Sequence, residues 1–283
     1  MIKLNSGEFE ALISELGGEL KSFSYKGINI LHEPDAVWNR TAPILFPIVG
    51  RLKDGKTLIK DKVYSLPTHG FLRNYNLAVK EQTKTKVTLT FSDTKDTYLL
   101  FPYHFIVTVI YQLTLTGLEV TFKVKSMNSE PFFFSLGFHP GFRVKSIFDS
   151  KVTFKEPENL ITPRVSDKGL LDFQEQKEIL KGTELRLDDN YFLEDAIIFS
   201  DLNSKSLIFD TGFPERLKIS YEGFNTLAFW SRPGANFLCI EAWRGFPDEV
   251  EDRGIYLEKR DLVKLISGEE KEFKYQIQME EFL

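Results

Sequence analysis

The chain of 283 residues contains a single cysteine, Cys239. One thiol cannot make an intramolecular disulfide or a multi-cysteine metal cluster, and its isolation fits a reducing compartment. Its setting, "NFLCIEAW", reads as a strand, where a buried, inert thiol is expected rather than a nucleophile. Long apolar runs are missing too. No stretch is long enough to span a bilayer, and "MIKLNSGEFEALI" lacks the apolar segment of a secretory leader, so no membrane partner is expected and the expected location is cytoplasmic. Histidine is scarce, four in all, and no H-x-H, H-E-x-x-H or C-x-x-C spacing occurs. With those patterns absent, neither a metal nor another cofactor is expected. The G-x-S-x-G, P-loop and G-x-G-x-x-G motifs are absent as well, which argues against serine hydrolases and nucleotide binding. A formal net charge of -5 provides no basic footprint for nucleic acid.

What the chain does have is alternation. "EFKYQIQME" places Phe273, Tyr275, Ile277 and Met279 on one face and Lys274, Gln276 and Gln278 on the other, the pattern of a half-buried strand. "LEVTFKVKS" repeats it, while the more continuously apolar "FIVTVIYQL" predicts a strand covered on both faces. Asn5-Ser6-Gly7, Lys26-Gly27, Asp54-Gly55 and Thr116-Gly117 supply turn chemistry between such runs. Phenylalanine is used 26 times, which also favours strands, and only "FQEQKEIL" predicts a short helix. The more polar segment from Lys155 to Asn190 keeps apolar residues throughout and reads as a long excursion within one domain. The expectation is an all-β fold, a large antiparallel β-sandwich with few short helices, occupying residues 1–283 as a single domain.

Four segments break the alternation with polar side chains that are costly to bury: "PIVGRLKDG", "PTHGFLRN", "GFHPGF" and "CIEAWRGFPD". They nominate Arg51, His69, Arg73, His139 and Glu241 as the polar groups of one pocket. Glu241 is expected at a strand end among apolar neighbours, either in a salt bridge with an arginine such as Arg244 or as a general base tuned by that setting. His139 is either a core histidine donating to a carbonyl or a proton donor. His69 sits in a turn, where an exposed loop histidine is the usual outcome. His32 is read as a loop residue, and His104 as a strand residue without a titratable companion. A glycosidase wants two carboxylates, and only Glu241 has a pocket-like context. Two imidazoles and a carboxylate suit proton shuttling without a cofactor.

At these residues the chain resembles the aldose 1-epimerase (galactose mutarotase-like) family, most closely its LacX-type branch. The resemblance runs from "GGELKSFSYKGINIL" through "WNRTAPILFPIVGRL", "HGFLRN", "FPYHF", "GFHPGF" and "LDDNYFLEDAIIF" to "CIEAWRGFPD". It implies His139 as general acid and Glu241 as general base in ring opening of a hexose such as galactose or glucose. His69 and Arg51 would hold sugar hydroxyls, and the family's sugar-binding aspartate falls on Asp189, with Asp188 as the alternative. Trp243, like Phe138 and Phe142, offers a ring for stacking on a pyranose, Phe138 being the more natural core residue. Ala242 stands where many members have proline, and "GFHPGF" replaces the aromatic-asparagine ending of galactose mutarotases; these departures bear on the substrate. A neighbouring branch acts on hexose 6-phosphates, and Arg51 and Arg73 resemble its phosphate-binding positions. A non-catalytic sugar-binding protein on the same scaffold is the remaining reading. The implied partner is a small-molecule sugar, with the chain a monomer or a homodimer.

Overall fold

The computed structural model describes residues 1–280. The alternating segments pair as antiparallel strands. In spatial order a nine-stranded sheet comprises Leu171–Arg186, Lys151–Val165, Ser206–Asp210, Arg216–Glu222, Glu270–Glu280, Gly117–Ser126, Phe105–Leu113, Lys86–Ser92 and Ala78–Gln82. A second sheet, which carries the site, is built from β1 (Ile44–Leu45), β2 (Leu136–Phe138), β3 (Gly141–Arg143), β4 (Ile197–Ser200), β5 (Thr226–Trp230) and β6 (Phe237–Arg244). Its order is β4-β5-β6-β2-β1, and β3 pairs with β6 beyond the end of β2. A four-stranded sheet of Ile2–Ser6, Phe9–Ile13, Leu20–Tyr25 and Ile28–Asn29 packs at the chain's beginning. One α-helix is present among the described residues, Lys95–Leu100, and it starts with a reciprocal Thr94/Thr97 capping box.

The abundant phenylalanine closes the space between sheets. Phe138 of β2 meets Phe122 and Tyr275 of the nine-stranded sheet with ring centroids 5.3 and 5.2 Å apart. Tyr275 also donates its hydroxyl to the Ile240 carbonyl of β6 at 2.8 Å, so its one polar atom is satisfied inside the core. Burying one such aromatic side chain contributes roughly 1.5–3 kcal/mol relative to exposure.

Two expectations change. "FQEQKEIL" lies within the strand Leu171–Arg186, whose ladder with Lys151–Val165 overrides the helical preference of its Glu, Gln and Lys residues. The segment between Lys155 and Asn190 is accordingly mostly one long hairpin. Phe105–Leu113 is buried along one face only: Val107, Val109 and Tyr111 point into the core, while Ile106, Thr108 and Ile110 are half-buried. An antiparallel sheet with one open face explains that pattern.

Candidate active site

Glu241 lies within β6, not at its end, and only 2 % of its surface is exposed. Arg244, its expected partner, pairs with Asp261 at 2.9 Å instead. The glutamate divides its oxygens between two other groups. Oε1 faces His139 Nε2 at 3.1 Å, and Oε2 accepts from Trp243 Nε1 at 3.0 Å. Burial in apolar surroundings pushes Glu241 well above the usual carboxylate range, opposed by the Trp243 hydrogen bond and reinforced by Asp195.

His139 occupies the turn from β2 to β3. Its backbone N–H donates to the Pro43 carbonyl at 3.1 Å, which anchors the turn, while the imidazole is free to face Glu241. Trp38 stacks on it with centroids 5.1 Å apart, and Trp230 and His69 meet it edge-on at 5.9 and 5.8 Å. Burial lowers its pKa to about 3, and Arg73 contributes in the same direction. The two glycines around it have a steric purpose. A Cβ on Gly137 would lie 2.8 Å from Trp243 Cδ1, and one on Gly141 would lie 2.5 Å from Trp38 Cζ3. Each absent side chain therefore makes room for one indole.

His69 is half-buried rather than an exposed loop residue, and its backbone takes a left-handed φ of 65°. The Gly50 N–H donates to its Nδ1 at 3.1 Å, so the ring's proton is on Nε2 when the ring is neutral. Burial first, then His139, Arg73, Arg51 and Arg40, hold it well below the usual histidine range. Neutral His69 is thus a hydrogen-bond donor toward the cavity.

These groups line a cleft of about 300 Å³ together with Arg40, Arg51, Arg73, Arg232, Asp195, Trp38, Trp230 and Trp243. Two roomier depressions, of about 790 and 540 Å³, contain no histidine. Arg73 is oriented by a 2.8 Å bond from Nη2 to the Thr68 carbonyl, and Arg40 lies 3.9 Å from Glu19. Glu19 in turn accepts from the Thr41 and Ala42 N–H groups at 2.9 and 3.2 Å, fixing the loop that presents Arg40 and Trp38. Arg232 lies over the Trp230 ring at 5.4 Å.

Six of the seven nominated residues line the cleft: Arg51, His69, Arg73, His139, Glu241 and Trp243. Asp189 is absent from the lining. Its Oδ2 accepts from the Gly234 N–H at 3.0 Å, and Asp188 caps the following turn through the Asn190 N–H at 2.8 Å. The carboxylate that does line the cleft is Asp195, raised by burial, so Glu241 is not the only acid there. Phe138 and Phe142 are fully buried in the core, away from the cleft. The remaining histidines also differ from expectation. His32 is buried beneath Trp38 and bonds its carbonyl at 3.0 Å, while exposed His104 does have a titratable companion, Asp93 at 2.7 Å. Sequence reasoning passed over Trp38, Arg40, Asp195, Trp230 and Arg232. Tryptophans two residues before arginines in "VWNR" and "FWSR" were the available signal.

Among the described residues no group of three or more His, Cys, Asp and Glu side chains is arranged to hold a metal ion. What the cleft offers is an adjacent carboxylate and imidazole, neutral donors and a cationic wall. Comparison with known proteins extends to the whole chain. The family model for aldose 1-epimerase matches residues 1–278. Plasmid-borne Protein LacX of Lactococcus lactis subsp. lactis is 27% identical over 295 aligned positions, covering 98% of each chain. A galactose mutarotase-like protein from Lactobacillus casei superposes with a TM-score of 0.94 at 26% identity, over 99% of this chain and 100% of that one. A galactose mutarotase related enzyme from Lactobacillus acidophilus gives 0.92 at 25% identity, over 99% and 97%. Matched by that family model along nearly its whole length, the chain belongs to the aldose 1-epimerase family.

Proposed function

We propose that the protein interconverts the α and β anomers of an aldohexose, with Glu241 as general base and His139 as general acid. The observation that carries this reading is the 3.1 Å contact between Glu241 Oε1 and His139 Nε2 on the wall of the cleft. Ring opening removes a proton from the anomeric oxygen and delivers one to the ring oxygen. Both oxygens are bonded to C1, so an acid and a base serving them must stand side by side. A pair at hydrogen-bond distance meets that demand.

The pair enters the reaction holding one proton. Glu241 as carboxylate takes the proton of the anomeric hydroxyl while protonated His139 gives its own to the ring oxygen, and the C1–O bond breaks. The aldehyde turns about C1–C2. Reclosure on its other face returns both protons, which leaves the pair as it began. Neutral His69 donates from Nε2 to a sugar hydroxyl, and Trp38 and Trp230 wall the reacting carbon from bulk water. In this reading Asp195, which lines the cleft where Asp189 does not, accepts from a sugar hydroxyl.

Polarimetry on freshly dissolved α-D-galactose and α-D-glucose, with the spontaneous rate subtracted, tests the reading. Glu241→Gln and His139→Asn are each expected to lower kcat by about 10²-fold or more. Wild-type turnover in Glu241→Gln would end the assignment of the base.

The cationic wall favours a second substrate, a hexose 6-phosphate. Arg40, Arg51, Arg73 and Arg232 line the cleft, and among the described residues only Arg40 has a carboxylate within ion-pair distance. Guanidinium groups without counter-ions suit a phosphate dianion. Exchange NMR on glucose 6-phosphate separates the two substrates: Arg73→Ala should raise KM for the phosphate at least tenfold and leave the free hexose nearly unaffected. Equal KM changes for both would remove the phosphorylated substrate.

A further inference from the structure

We propose that Trp243 is a positioning residue for the acid–base pair, its indole N–H locking the Glu241 carboxylate in register with His139. This rests on the reading of Glu241 and His139 as base and acid.

Glu241 and Trp243 are two residues apart on β6, so both side chains emerge on the same side of the strand. Nε1 reaches Oε2 at 3.0 Å, leaving Oε1 toward His139. Trp243 is itself held tightly, with only 3 % of its surface exposed. In the sheet it stands opposite Gly137 on β2 and Thr226 on β5, and it packs with Leu45, Val49, Ile198 and Ala228. Gly137 cannot carry a side chain without striking Trp243 Cδ1 at 2.8 Å and Leu45 Cδ1 at 2.9 Å. The indole thus has one available place, and in that place its only polar atom serves the glutamate. A stacking platform for the sugar would not need the N–H directed at Oε2, and Trp38 and Trp230 already wall the cleft around His139.

An N–H donor stabilises the ionised carboxylate over the acid. Within the one-proton pair it therefore favours the reactive arrangement, Glu241 ionised and His139 protonated, over the neutral one that burial prefers. Removing the donor should depress the plateau rate and make the last proton of the pair harder to lose. The other titratable or charged groups facing Glu241 are His139 from the β2–β3 turn, Asp195 ahead of β4, Cys239 on β6 and Tyr275 from the nine-stranded sheet. Across the cleft stand His69, Arg40, Arg51, Arg73 and Arg232. Trp243→Phe changes none of their charges.

The test combines kinetics with a substrate-free titration of Glu241, followed by NMR of ¹³C-carboxyl-labelled glutamate. In Trp243→Phe, kcat should fall about tenfold and KM stay within about twofold. The Glu241 midpoint, and with it the alkaline limb of the rate profile, should rise by about one pH unit. Gly137→Ala, which displaces the indole and keeps every polar group, should give the same signature. An unmoved Glu241 midpoint in either folded variant overturns the proposal, because lost packing alone lowers stability without shifting that titration. Failure of the base assignment itself has a separate mark, undiminished turnover in Glu241→Gln.

Discussion

A histidine held near a pKa of about 3 by its surroundings affects stability as well as chemistry. His139 and His69 both bind a proton far less readily in the folded chain than in the unfolded one, because burial penalises the imidazolium. Their contribution is complete above the ordinary histidine value of 6.5 and is lost as pH falls from there toward the folded value. In that window each adds a slope of about 1.4 kcal/mol per pH unit. Urea denaturation of His139→Asn between pH 7 and pH 4 should accordingly show a shallower loss of stability than the parent. Parallel curves would mean that the imidazole is not held neutral by the fold. With His139 and Glu241 as the proposed acid and base, the same neutrality would set the acid limb of turnover. A second proton reaches the pair only far below the usual histidine range, so activity should persist through mildly acidic pH, whereas an exposed catalytic histidine would impose a limb near 6.5.

At the level of elements, the segment "LGFHPGF" is a strand, a turn and a strand with one glycine on each side of His139. Gly137 admits Trp243 and Gly141 admits Trp38, so the turn that carries His139 is also the element that makes room for both indoles. A methyl group at Gly141, 2.5 Å from Trp38 Cζ3, must move the indole or the turn. Gly141→Ala should cost about 1–3 kcal/mol by overpacking and reduce kcat through the displaced Trp38 wall. In a Trp38→Ala background the same substitution should cost less than half as much, because the 2.5 Å obstacle is gone and only the His32 Cβ contact at 3.3 Å remains. Persistence of the full penalty in that double-mutant cycle, measured by urea denaturation, would show that the strain lies elsewhere. Elements also explain the misread helix. "FQEQKEIL" has helix-forming residues, but it gains a long ladder with Lys151–Val165 as a strand, and such pairing outweighs propensity differences of a few tenths of a kcal/mol per residue.

Across the whole molecule, the strip that carries Arg51 is anchored by a buried ion pair distant from it in sequence. Lys259 and Asp248 pair with side-chain exposures of only 3% and 2%. Asp248 accepts from the Lys53 N–H at 2.8 Å, and its own N–H donates to the Arg51 carbonyl at 2.8 Å. The pair therefore ties a late segment to the strip that presents Arg51. Lys259→Met leaves Asp248 buried without its cation and should destabilise the fold by about 3–5 kcal/mol, read as a lower denaturation midpoint. A loss below 1 kcal/mol would mean that Asp248 regains water or another partner.

The period-2 alternation, the turns at Asn5-Ser6-Gly7 and Lys26-Gly27 and the abundance of Phe were enough to specify an antiparallel all-β chain, since each is a local property that neighbouring strands only reinforce. Gly, Pro and aromatics around His139, His69 and Glu241 likewise marked these as residues with something to face. What local pattern did not contain was the company each would keep. Whether Asp189 or Asp195 reaches the cleft depends on the path of the chain between two carboxylates in similar settings. That Trp38 and Trp230 meet over His139 depends on segments far apart in sequence arriving at one place. Glu241 could be nominated for the cleft from its setting, but its partners, His139 and Trp243 rather than Arg244, were decided by tertiary structure. Protonation energetics follow from desolvation and contact distance, which exist only once distant strands have closed around the pair.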